Sequence, residues 1–258
     1  LAENKTPKND IIICITDAEE LGLLGANAFV NHHPWAKDVG LVLNFEARGS
    51  GGPSYILLET NGGNKKLIEA FQNAKTPYPV GNSLLYSIYK KLPNDTDLTV
   101  FRKEGTIDGF NFAFIGDHFD YHTEQDSFER MDIKSLNHQA SYLMATLNYF
   151  ANSDLENLKA EQDYVYFNFP YFGLVFYPFS WVLPLFVVCV LLFLGLLIVG
   201  VYKNKLTILG MVKGCIPFIF SLLLSGLVTF YGWKFLLKIH PQYNDILHGF
   251  TYNGYYYI

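Results

Sequence analysis

At 258 residues the chain has room for one large domain or a modest domain with additional segments, and half of it is apolar while only 17% is charged. A formal net charge of −5 with no Lys/Arg-rich block argues against nucleic acid as a partner. Charged residues thin out after Glu161, and Phe167 to Leu237 is nearly bare of them, so a water-soluble part is expected to lead into a membrane part.

Taken in order, no basic segment precedes an apolar core at the start, so no signal peptide is visible. The chain begins at Leu1 and stops at Tyr257-Ile258 after an aromatic cluster, and it reads as an excerpt of a longer protein. Ile11 to Thr16 is a short apolar run suited to a strand buried on both faces. Asp17 to Glu20 follow, and Leu21 to Val30 has helical character. Leu41 to Phe45 suits a second buried strand, ended by Gly49-Ser50-Gly51-Gly52-Pro53. Tyr55 to Leu58 makes a third, and Lys65 to Ala74 a helix. Thr76 to Leu92, with Pro77 and Pro79, reads as irregular. Phe112 to Ile115 is another strand and Ile133 to Phe150 a closing helix. This alternation predicts an α/β fold: a mixed, largely parallel sheet flanked by helices, incomplete here, and followed by transmembrane α-helices. Three scattered cysteines (Cys14, Cys189 and Cys215) make neither a disulfide framework nor a metal-binding pair, and each is expected to serve as a small buried hydrophobe.

The expected domains are residues 1–155, then a linker over 156–178. Two membrane-crossing helices follow at 179–202 and 208–233, and 234–258 is read as an extramembrane loop leading to further spans. About two dozen residues from Phe179 pass without a charge, enough for a hydrocarbon core of roughly 30 Å. Pro184 lies near the start of that run, and Lys213 lies near enough to a helix end to snorkel. Aromatic flanks such as Tyr177, Trp181 and Trp233 suit the interface. Lys203 and Lys205 favour a cytoplasmic inter-helix loop, which puts the soluble part on the non-cytoplasmic side: periplasmic, extracellular or vacuolar.

Chemistry concentrates where strands are expected to end. Asp17-Ala18-Glu19-Glu20-Leu21-Gly22-Leu23-Leu24-Gly25 puts two adjacent carboxylates after the first strand, where α/β sheets hold their ligands. Adjacent residues in a turn point in different directions, so one can bind a metal while its neighbour faces substrate. Alone, the pair would read as a solvated acidic helix start. Glu46 ends the next strand, and Asp117-His118-Phe119-Asp120-Tyr121-His122-Thr123-Glu124-Gln125-Asp126 follows a third. Imidazole and carboxylate are the donors of catalytic zinc sites. His118 is read as a loop residue, and His32 and His33 as the exposed end of a helix.

Together, D-A-E-E-L-G-L-L-G, N-F-E-A-R-G-S-G-G, L-P-N-D-T-D-L-T-V-F and Y-H-T-E-Q-D resemble the co-catalytic zinc exopeptidases, the family of bacterial leucyl aminopeptidases, glutamate carboxypeptidase and the vacuolar membrane proteases. The likeness runs from about Ile11 to Phe150, and the apolar segments make the vacuolar membrane protease branch, or a bacterial relative, the nearest. The resemblance implies two zinc ions. Glu19 would be the general base and Glu20 a ligand of one zinc, shared with His122. Glu46 would bind the other zinc. Asp95 and Asp97, in the D-T-D motif, are expected near the substrate pocket or behind the ligands. Arg48 could meet a substrate carboxylate, or be a surface residue. The pattern also calls for a histidine and a metal-bridging aspartate upstream of the Glu-Glu pair. Nothing in Leu1 to Asp10 supplies them, so this stretch alone is expected to bind zinc weakly and to be inactive.

The function implied is a membrane-anchored metallopeptidase cleaving peptides near a terminus, an aminopeptidase first of all, with a peptide substrate and the lipid bilayer as partners. A non-catalytic receptor-like member of the same fold and a glutaminyl cyclase-like enzyme are the alternatives. A transporter reading finds no intramembrane Asp, Glu or Arg to support it.

Overall fold

The computed structural model describes residues 6–89 and 95–241. It divides into two compact units, Leu1–Phe179 and Ser180–Ile258.

In the first unit, α1 (Leu24–His32), β1 (Val42–Ala47), β2 (Gly51–Glu59), α2 (Lys65–Asn73), α3 (Ser83–Tyr89), α4 (Asp97–Lys103), β3 (Gly109–Gly116), α5 (Ile133–Phe150), β4 (Tyr164–Phe169) and β5 (Gly173–Pro178) follow in order. β3 is central in a three-stranded sheet, parallel to β1 and antiparallel to β2. The mixed α/β class expected from the alternation is therefore present. Because β1 and β3 run the same way, Glu46 at the end of β1 and the loop after β3 emerge at one edge of the sheet.

The core is aromatic. Phe110 and Phe112 of β3 are fully buried, with Phe71 of α2 and Tyr142 of α5 packed on them at ring separations of 5.5 to 6.1 Å. Tyr142 also ties the loop before α3 by accepting from the Val80 N–H and donating to the Tyr78 carbonyl. Asp132 caps α5 by accepting from the Lys134 N–H, which starts that helix at Ile133 as expected.

Four sequence expectations need correction. Ile11 to Thr16 is no strand: Ile13 and Ile15 are 85% and 92% exposed, and Cys14 with them is exposed rather than buried. A strand needs hydrogen-bonded neighbours on its flanks, and among the described residues none pairs with it. The Gly49 to Pro53 run does end β1, at Ala47, but β2 starts within it at Gly51 rather than at Tyr55, because a register shift between Gly51 and Ser54 absorbs Gly52 at φ 83°. Ser83 to Tyr89 is a helix, not irregular chain, and its Tyr86 and Tyr89 bury at helical spacing. Within 156–178, read as a linker, β4 and β5 pair as an antiparallel hairpin.

The second unit contains α6 (Val182–Tyr202) and α7 (Ile208–Ile239). Phe179–Tyr202 and Ile208–Ile239 are both long and apolar enough to cross a membrane. Pro184 falls in the first turn of α6, where its missing N–H removes no helical bond. α7 runs past Trp233; at about 1.5 Å per residue it reaches about 48 Å, longer than a hydrocarbon core. Most of the expected 234–258 loop lies outside the described residues.

Candidate metal centre

The turn carrying the paired carboxylates is built from backbone constraints. Ala18, Gly22 and Leu23 all take positive φ, and the Asp17 carboxylate accepts from the Ala18 N–H at 2.7 Å. The Leu23 N–H then bonds the Glu19 carbonyl, and the Gly25 N–H bonds the Asp17 carbonyl. Gly25 is required there, since a Cβ would lie 2.7 Å from the Asp17 carbonyl oxygen. The result presents Glu20 to solvent and leaves Glu19 partly buried.

Opposite stands the loop after β3. His122, at φ 58°, directs Nε2 to within 2.6 Å of Glu20 Oε1, and its ring stacks on Tyr121 at 3.8 Å. The loop is held from beneath. Asp120 is fully buried, and its carboxylate accepts from Arg130 Nε at 3.0 Å and from the Ser50 hydroxyl. The Asp120 carbonyl accepts from Thr123, closing the turn around His122.

Glu46 is partly buried, accepts from Asn111 on β3, and has its backbone carbonyl tied to Gln139 of α5 at 2.8 Å. Asn111 in turn accepts from Asn44 at 2.9 Å. Burial pushes the Glu46 carboxyl up to about 7, against the opposing pull of Asn111 and Arg48. Burial first, then Glu20 and Asp97, raises Glu19 above the ordinary carboxylate range, while Arg48 and His122 act the other way. Arg48 lies between two rings, 5.7 Å from Tyr89 and 5.8 Å from Tyr121, with a buried Nε that has no hydrogen-bond partner. It is a half-buried cation coupled to the Glu19 and Glu46 carboxylates.

The two aspartates of the D-T-D motif part company. Asp97 opens α4 behind the Thr96 cap, accepts from Thr16, and keeps its other oxygen buried without a partner. Asp95 is exposed and pairs with Lys103 at 3.1 Å. His33 stacks on Phe29 and His118 lies against Phe119.

The structure thus joins Glu20 and His122 directly, with Glu19 next in the chain and coupled electrostatically to Asp97, Arg48 and Glu46. A carboxylate and an imidazole in contact, with two further carboxyls whose proton affinity burial raises, is a donor set suited to zinc. Among the described residues, no group of three His, Cys, Asp or Glu side chains is close enough to hold a metal by itself. Sequence reasoning missed Asn111, Tyr89 and Asp120. Asn111 had one signal, a lone amide in the aromatic run Phe110 to Phe114; the others depend on the folded arrangement.

The description "Peptidase family M28" matches residues 1–147. The endoplasmic reticulum metallopeptidase 1 of Rattus norvegicus is 31% identical over 147 residues, covering 56% of this chain and 16% of that protein. The vacuolar membrane protease of Candida tropicalis is 33% identical over 159 residues (61% and 17%), and that of Debaryomyces hansenii 36% over 137 residues (52% and 13%). These matches span under a fifth of each relative's length. No solved structure matches.

Proposed function

The chain belongs to peptidase family M28, and from that premise we propose that it forms part of a membrane-anchored zinc exopeptidase in which Glu20 and His122 hold one zinc and Glu19 is the general base. The observation that carries this is the 2.6 Å approach of His122 Nε2 to Glu20 Oε1, with Glu19 adjacent and its proton affinity raised. Glu46 would serve a second zinc. When bound, zinc supplies Lewis acidity, polarising the scissile carbonyl and acidifying water.

The residues of the chain do the rest. Glu19 accepts a proton and returns it to the leaving amine, and a carboxyl raised above its ordinary range is better suited to that exchange near neutral pH. Asn111 fixes the Glu46 carboxyl, and Asp120 fixes the backbone that presents His122. Arg48, held against Tyr89 and Tyr121, tempers the negative charge and would meet a substrate carboxylate. Aminopeptidase action is the reading favoured by the family likeness, with the peptidase unit on the non-cytoplasmic side and α6 and α7 as spans.

The test is turnover by the full-length protein on peptides blocked at either end. Cleavage that needs a free amino terminus and is lost in Glu19→Gln supports the proposal. Cleavage requiring a free carboxyl terminus would reassign the specificity and give Arg48 the leading role. No cleavage of either peptide would favour the receptor-like alternative.

A further inference from the structure

β4 and β5 form a hairpin with two unlike faces. One is pinned to the peptidase unit: Tyr166 is fully buried and Leu174 nearly so. Asn168 on that face accepts from the Gly81 N–H at 2.8 Å and donates to the Pro79 carbonyl at 2.6 Å. At the root, Asn64 exchanges two hydrogen bonds with the Tyr164 backbone. Strand alternation puts Val165, Phe167 and Phe169, with Val175 and Tyr177, on the other face, where Phe169 is 49% exposed and the other four are half-buried. Phe167 confirms the grouping, its ring lying 6.4 Å from Phe169 and 6.3 Å from Tyr177.

An outward face of a two-stranded sheet in water is expected to be polar, with charges guarding its edges. Here no Asp, Glu, Lys or Arg occurs anywhere from Tyr164 to Tyr202. The tip is more apolar still: Tyr171 is wholly exposed and Phe172 76% exposed. The charge-free run therefore covers the hairpin as well as α6, although the helix alone is long enough to cross a bilayer.

We propose that the outward face and aromatic tip of the β4–β5 hairpin lie in the lipid interface, as a second membrane contact of the peptidase unit beside its tether. Continuity identifies the occupant. β5 ends at Pro178, and the next residue, Phe179, both begins the apolar run into α6 and bonds the Asp163 carbonyl at the hairpin root at 2.9 Å. The lipid surface is thus one residue from the hairpin. Aromatic side chains are those the interface favours, and the Tyr171 and Tyr177 hydroxyls can stay among headgroups while their rings bury. Because Asn168 and Asn64 tie the inner face, lipid contact by the outer face fixes which side of the peptidase unit meets the bilayer.

The proposal rests on α6 crossing the bilayer, and the experiment separates the two. The full-length protein, with native cysteines replaced, carries a nitroxide at Phe169→Cys, Tyr171→Cys or, as a water-exposed control, Asn73→Cys. It is reconstituted in phosphatidylcholine bilayers, and collisions with oxygen and with an aqueous nickel chelate are compared. Severalfold lower nickel accessibility at positions 169 and 171 than at 73, with higher oxygen accessibility, is the expected result. Nickel accessibility equal to that at 73 overturns it, as does shielding from both colliders, which would mean that another protein segment covers the tip. Release of the protein from bilayers by alkaline carbonate would sink the α6 reading as well, a result distinct from a bilayer-bound protein with a wet hairpin.

Discussion

Arg130 donates through Nε to the fully buried carboxylate of Asp120 at 3.0 Å, two residues before His122. Asp120→Ala removes the anion that Arg130 and Ser50 converge on. The expected loss is about 2–4 kcal/mol, less than the full cost of breaking a wholly buried pair because Arg130 keeps some contact with water. Denaturant unfolding checks this. Zinc affinity should fall further in Asp120→Ala than in a surface control such as Glu161→Ala, since only the first loosens the loop that carries His122.

Glu46 makes the metal-free fold sensitive to pH. Its folded-state pKa of about 7 lies above the ordinary carboxylate value, so the folded state binds the extra proton. Stability from this group is therefore full below the ordinary carboxylate range, declines as pH rises through about 7, and stays low above it. Glu46→Gln should flatten that decline and raise the melting temperature of metal-free protein at pH 8. Melting scans in chelator across pH measure it.

Arg48 lowers the proton affinity of both Glu19 and Glu46. Arg48→Ala should therefore move the acid limb of the pH–rate profile to higher pH. Arg48→Lys should restore the limb only in part, because an ammonium lacks the planar face that sits between Tyr89 and Tyr121. A profile unchanged in both variants would remove Arg48 from the electrostatics of the site.

Gly49, just after β1, packs against the backbone at the end of β3. A Cβ there would lie 2.2 Å from the Gly116 carbonyl oxygen, whereas one at Gly195 in α6 meets nothing within 4 Å. Gly49→Ala should cost about 1–3 kcal/mol by overpacking and reduce zinc affinity as the two loops are pushed apart. Gly195→Ala should do neither, and paired unfolding and metal-binding measurements distinguish them.

How far the sequence could be read depended on how local each signal was. Ile133 to Phe150 was legible to the residue because Asp132 announces its start. Ile11 to Thr16 was misread because apolarity states a preference for burial without saying whether neighbours exist to provide it. Ser83 to Tyr89 was passed over because Pro77 and Pro79 dominate that stretch, although Tyr86 and Tyr89 carried a helical spacing. In the site, the Glu19-Glu20 and His122 motifs announced themselves, but their meeting across 102 positions did not, being set by the turn at Gly25 and the Asp120 anchor. Nothing in spacing alone separates Asp97, which joins the group, from Asp95, which pairs with Lys103.

The most direct test of the account is zinc content of the full-length protein, measured beside Glu20→Gln, His122→Ala and Glu19→Gln. Zinc that is diminished in the first two variants and retained in Glu19→Gln, with turnover lost in all three, is the predicted result. Zinc unaffected by either Glu20→Gln or His122→Ala would contradict the claim that their 2.6 Å approach marks a shared metal.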